Sequence, residues 1–191
     1  SRATCIAVIQ SGASPSFSNS GTINVPSGRT FRVMAGTFIH DVGGALAPGS
    51  GLLWFGDNGT LVLADDCTIP AGGTLRMGSW YGGGGQINGS GRLRNEGILE
   101  LWACTVGADV ENAADFRAYW TSNALNGAFS NALGATMDLW YTDTTFANGF
   151  VNDDEHLILL NPWLESVRSI ATILAHDAWH FAPGPPVAEF Y

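Results

Sequence analysis

Residues His176-Asp177-Ala178-Trp179-His180 set two histidines at positions i and i+4, which on a helix puts both imidazoles on one face. Helical zinc sites use this spacing, with a glutamate beside the first histidine as general base. Here the neighbour is Asp177, one methylene shorter, so a base would sit too far from a metal-bound water. Glu189 is left as a third ligand. Two histidines near a helix C-terminus also have a plain structural explanation, because polar or positive groups are favourable there. His176 and His180 are kept as candidate metal ligands, the structural explanation is preferred, and no cofactor is expected.

Asp153-Asp154-Glu155 could bind calcium or work as an acid–base pair. A calcium-dependent lyase would also need Arg or Lys as base, and the chain has no lysine. A charged turn before a strand is preferred. A third constellation is Arg32, Trp54 and Arg76, evenly spaced along the chain, with Glu100 following at a slightly longer interval. Trp stacks on apolar faces and Arg grips carboxylates, so these could form a sugar or partner platform. They could equally satisfy one another through cation–π contacts and an Arg76–Glu100 ion pair, each worth at most about 1 kcal/mol when exposed. The internal ladder is preferred. Arg32, Trp54 and Arg76 stay candidates for an interaction surface, together with Phe190 and Tyr191, since exposed aromatics mark interfaces. No Ser/His/Asp set, phosphate loop or complete metal site emerges, so a non-enzymatic protein is expected.

The elements that would position these residues are visible in a repeat. VPSGRTFRV (25–33), APGSGLLWF (47–55) and IPAGGTLRM (69–77) follow one pattern, and Pro26, Pro48 and Pro70 recur at a constant interval. Four columns counted from each proline are apolar. They are Ile23/Ala45/Cys67, Val25/Ala47/Ile69, Phe31/Leu53/Leu75 and Val33/Phe55/Met77. The last two flank Arg32, Trp54 and Arg76, which is in–out–in alternation on a short strand. A unit of this size cannot bury its apolar face alone, but it can when like positions stack about 4.8 Å apart. Leu93, Leu99 and Leu101 continue the pattern, with an insertion at Gly82–Gly85. Further strands are expected at Thr37–Ile39 and Thr60–Leu63.

Phrases such as GTLVLADDCTIPAGGTLRM and INGSGRLRNEGILEL resemble right-handed parallel β-helix proteins, over roughly residues 20–105. Autotransporter passengers, polysaccharide lyases and phage tailspike or decoration proteins share that grammar. The resemblance implies a fold and no particular activity.

The expected fold is mainly β: a short parallel β-solenoid of about four 22-residue coils, then a mixed α/β C-terminal capping region. Residues 1–20 would be an N-terminal cap, 21–106 the solenoid and 107–191 the capping or interaction region. Within the last, Asp109–Trp120 is predicted as a short helix and Ala135–Tyr141 as a strand. His156–Leu160 is predicted as a buried strand, followed by a helix from Asn161-Pro162 to near His180. Cys67 is expected in the core. Cys67 and Cys104 fall in different columns, so no disulfide between them is expected.

The net charge of −9 is unevenly spread: residues 1–94 carry +2 and residues 95–191 carry −11. Acidity argues against nucleic acid as partner, and no apolar run is long enough to cross a membrane as a helix. The start of the chain has too short an apolar run for a signal peptide, so one has been removed or was never present. The expected function is a structural or binding protein of an extracellular assembly, in concrete form a phage virion decoration, cement or fibre protein. Its partners would be its own copies, as a trimer or other homo-oligomer, and a larger assembly such as a capsid. The alternative is a secreted polysaccharide-binding module or lyase, or an adhesin fragment.

Overall fold

The computed structural model describes residues 5–8, 15–47, 49–56, 58–80, 83–119, 122–140, 142–147 and 150–152, all within one unit spanning Ser1–Asn152. Its strands come in triplets. The first is β1 (Cys5–Val8), β2 (Ser16–Asn19) and β3 (Thr22–Asn24), and the second β4 (Thr30–Met34), β5 (Thr37–His40) and β6 (Ala45–Ala47). Next come β7 (Leu52–Gly56), β8 (Thr60–Leu63) and β9 (Cys67–Ile69), then β10 (Thr74–Met77), β11 (Gln86–Gly89) and β12 (Leu93–Asn95). The last three are β13 (Ile98–Trp102), β14 (Thr105–Val106), β15 (Val110–Asn112); β16 (Asp115–Tyr119), β17 (Asn123–Leu125), β18 (Phe129–Asn131); and β19 (Thr136–Trp140), β20 (Thr144–Phe146), β21 (Phe150–Asn152).

Each strand pairs in parallel with its counterpart in the next triplet. Face I runs β1-β4-β7-β10-β13-β16-β19 and face II runs β2-β5-β8-β11-β14-β17-β20. Face III is made of β3-β6 and, separately, β9-β12-β15-β18-β21. Six rises between layers make a parallel β-solenoid of about six turns.

The three faces wall one apolar core. Phe31, Leu53, Leu75, Leu99, Phe116 and Met137 stand in register on the inner side of face I. Phe38, Leu61, Ile87, Val106 and Leu125 do the same on face II and are fully buried. Each such side chain contributes about 1.5–3 kcal/mol, which a lone coil could not collect. Edge-to-face ring pairs tie the faces together, Phe38–Phe55 at 5.6 Å and Phe116–Phe129 at 5.1 Å between centroids.

Three expectations need correction. The stack has about six turns instead of four, because both ends leave the 22-residue rhythm: Cys5 pairs with Phe31 at a longer spacing, and the coils after β13 are shorter. Ile98 pairs with Asp115 and Asp115 with Thr136, both closer in sequence than that rhythm would place them. Asp109–Trp120 is not a helix; Val110–Asn112 and Asp115–Tyr119 are strands. Its residues form helices readily, but Phe116 and Ala118 point into the core with Arg117 between them, and stacking overrides local propensity. Finally, β6 is slipped by one. Ile23 pairs with Leu46, so Leu46 and not Ala45 fills the buried column. The corner Asp41–Gly44, longer than its counterpart Ser20–Gly21, supplies the extra length and brings the larger apolar side chain inward.

The strand at 135–141 appears as β19. The long corner between β10 and β11, residues 78–85, carries the expected insertion. The expected strand at 156–160, the helix after Asn161, Asp153–Glu155, His176, His180, Glu189, Phe190 and Tyr191 lie outside the described residues.

Candidate interaction surface

The outer side of face I is built by the odd-even alternation of its strands. Residues flanking the central position go inward, and the central residue goes out. Parallel register then places Arg32, Trp54, Arg76, Glu100, Arg117 and Asp138 in one column. The first four are those singled out by spacing. Arg117 and Asp138 extend the column beyond the point where a fixed repeat could follow it.

Neighbours in the column hold one another. The Arg32 guanidinium lies 3.8 Å above the Trp54 ring centre, and that of Arg76 lies 5.7 Å away. The indole Nε1–H of Trp54 donates to the Gly78 carbonyl at 2.8 Å, which fixes the ring. Arg76 Nε donates to Glu100 Oε2 at 2.6 Å, and Arg117 reaches the other Glu100 oxygen at 3.7 Å. Glu100, 8% exposed, is thus held between two cations. Arg117 also donates to Asp115 at 3.1 Å. Burial opposes the Arg117 charge, but Tyr119, Asp115 and Glu100 outweigh it, and its pKa is raised above the ordinary arginine value.

The two outermost charged rungs differ. Among the described residues Arg32 has no carboxylate partner, and Asp138, exposed, has no cation within 4 Å.

A second column lies two residues further along each strand: Met34, Gly56, Gly78, Trp102, Tyr119 and Trp140. Trp102 and Tyr119 stack with ring centres 4.6 Å apart, and Trp80 lies 5.5 Å from Trp102. Trp80 and Trp140 are 51% and 53% exposed. The chain does carry a residue-type signal for this column: Leu99-Glu100-Leu101-Trp102, Phe116-Arg117-Ala118-Tyr119 and Met137-Asp138-Leu139-Trp140 repeat apolar–charged–apolar–aromatic.

Inside face III stands a third ladder, which sequence reasoning does not anticipate. Asn95 Nδ2 donates to Asn112 Oδ1 at 2.7 Å, and Asn112 Nδ2 donates to Asn131 Oδ1 at 2.6 Å. Asn95 and Asn112 are fully buried, so these amides satisfy the coil corners where backbone pairing stops. Cys67 and Cys104 are free, buried thiols. Among the described residues no three His, Cys, Asp or Glu side chains gather as a metal would require.

No protein-family model matches the chain, and neither the curated proteins nor the solved structures contain a significant match to it.

Proposed function

We propose that this chain is a non-enzymatic structural and binding protein of an extracellular assembly, in concrete form a decoration, cement or fibre protein of a phage virion that associates with its own copies and with a larger protein lattice such as a capsid. The observation that carries this reading is how the outer face I side chains are used. Arg32, Trp54, Arg76, Glu100 and Arg117 engage one another along the stack. They converge on no common point where a substrate could react. Such a ladder stiffens a rod, and its exposed Trp80 and Trp140 supply the aromatic contacts that protein interfaces favour.

A second reading is a polysaccharide-binding module or lyase, or an adhesin fragment. The same two exposed indoles favour it, since sugars stack on such rings. Light scattering on the purified chain, combined with incubation against anionic polysaccharides and calcium, separates the readings. Self-association with no unsaturated sugar product is expected. A monomer that binds or cleaves polysaccharide would replace the first reading with the second.

A further inference from the structure

The charge order on face I is complementary to its own reverse. From the second coil to the last the column reads Arg32, Trp54, Arg76, Glu100, Arg117, Asp138, with Ile6 of the first coil beyond Arg32. Set beside a copy running the other way, Arg32 meets Asp138, Trp54 meets Arg117, and Arg76 meets Glu100. No position then meets its own sign. A copy laid on the face in the same direction would instead oppose Arg to Arg at three rungs and acid to acid at two, which costs affinity.

We infer that face I is a two-fold contact with a second copy of this chain, the coil axes antiparallel and the symmetry axis lying along the strand direction between Arg76 and Glu100. A rotation about that axis carries the six rungs from Arg32 to Asp138 onto themselves in reverse order, as an isologous interface requires, and leaves Ile6 outside the matched run. Among the described residues, Arg32 and Asp138 are the charged rungs of this column with no ion-pair partner, and this arrangement brings them together. Arg32 and Asp138 stand five rises apart, roughly 24 Å at about 4.8 Å per coil, so they cannot pair within one molecule. Among the described residues five arginines stand against three carboxylates before residue 95, and Arg117 stands against seven carboxylates after it, which favours the same head-to-tail alignment. The contact is a single sheet face of short strands, so a concentration-dependent dimer is expected.

This inference deepens the self-association proposed above and rests on it. The test is sedimentation velocity of the full chain over a wide concentration range, with Arg32→Asp, Asp138→Arg and the double variant, each checked for native circular dichroism. The wild type should dimerise. Each single reversal should weaken dimerisation about tenfold or more, and the double reversal should restore it to within about threefold. Arg32→Gln and Asp138→Asn provide the same comparison should a reversal fail to fold. In a Cys5→Ser background, Arg32→Cys with Asp138→Cys should give a covalent dimer on mild oxidation, since the two positions are too distant to close within one chain. An oligomer indifferent to all these changes overturns face I as the contact and leaves self-association standing. A monomer at every concentration overturns both.

Discussion

The carboxamide of Asn112 serves several neighbours at once. Its oxygen accepts from Asn95 Nδ2 at 2.7 Å and from the Ala114 N–H at 3.4 Å, and its nitrogen donates to Asn131 Oδ1 at 2.6 Å and to the Thr136 carbonyl at 2.9 Å. Truncation leaves the buried Asn95 amide and part-buried groups on the following coils without this partner, so Asn112→Ala should cost about 3 kcal/mol in urea unfolding, and Asn131→Ala, at a more exposed rung, distinctly less. Burial alone pushes the Cys67 thiol up to about 12, and burial raises Cys104 to about 11, against an ordinary value of 9.0. In a Cys5→Ser background neither should react with a thiol reagent at about pH 8 until denaturant is added. A raised thiol pKa favours the neutral form in the folded state. The associated stability is therefore complete below about pH 9 and is lost as pH rises through about 11 and 12, which alkaline melting curves should show. Cys67 is legible as a core residue from its column. The asparagines are not, because Asn by itself reads as a turn residue, and only inward placement next to another Asn makes it a ladder rung.

At the scale of the element, corners set how closely coils approach. Gly78 follows β10 with φ of +76°, and a Cβ there would overlap the Trp102 carbonyl oxygen of the next coil. Gly78→Ala should therefore destabilise by at least about 2 kcal/mol, from backbone strain and forced separation together, measured by thermal or urea unfolding. The corner also fixes the Trp54 ring, whose Nε1–H ends on the Gly78 carbonyl. Strands with strict alternation and repeat spacing, β4, β7 and β10, are readable from the chain. Strand β16 is not: Ala-Ala-Asp-Phe-Arg-Ala-Tyr carries good helix formers, and its partner strands on either side lie closer in sequence than a 22-residue template allows. The expected place of Ala45 fails for a related reason. Counting from Pro48 preserves the face I register, while the longer corner at Asp41–Gly44 has already shifted face III by one residue.

Across the described solenoid, the change in charge and the two outer columns run along the coil axis, which gives the stack a direction. The proposed self-association draws on that direction: the charged column of face I is largely engaged with its own neighbours, and Arg32 and Asp138 are the rungs proposed to meet a second copy. By itself the sequence determined that apolar residues recur at solenoid spacing, that Phe31, Leu53 and Leu75 lie over one another, and that Arg32, Trp54, Arg76 and Glu100 share a face. These follow from side-chain alternation and a near-constant period, both local properties of the chain. Only the tertiary structure decided the number of coils, the inward turn of Asn95 and Asn112, and the arrival of Arg117 and Asp138 on the charged column. Those depend on corner lengths, and a corner can lengthen or shorten freely while the strands it joins are held in register by the layers above and below.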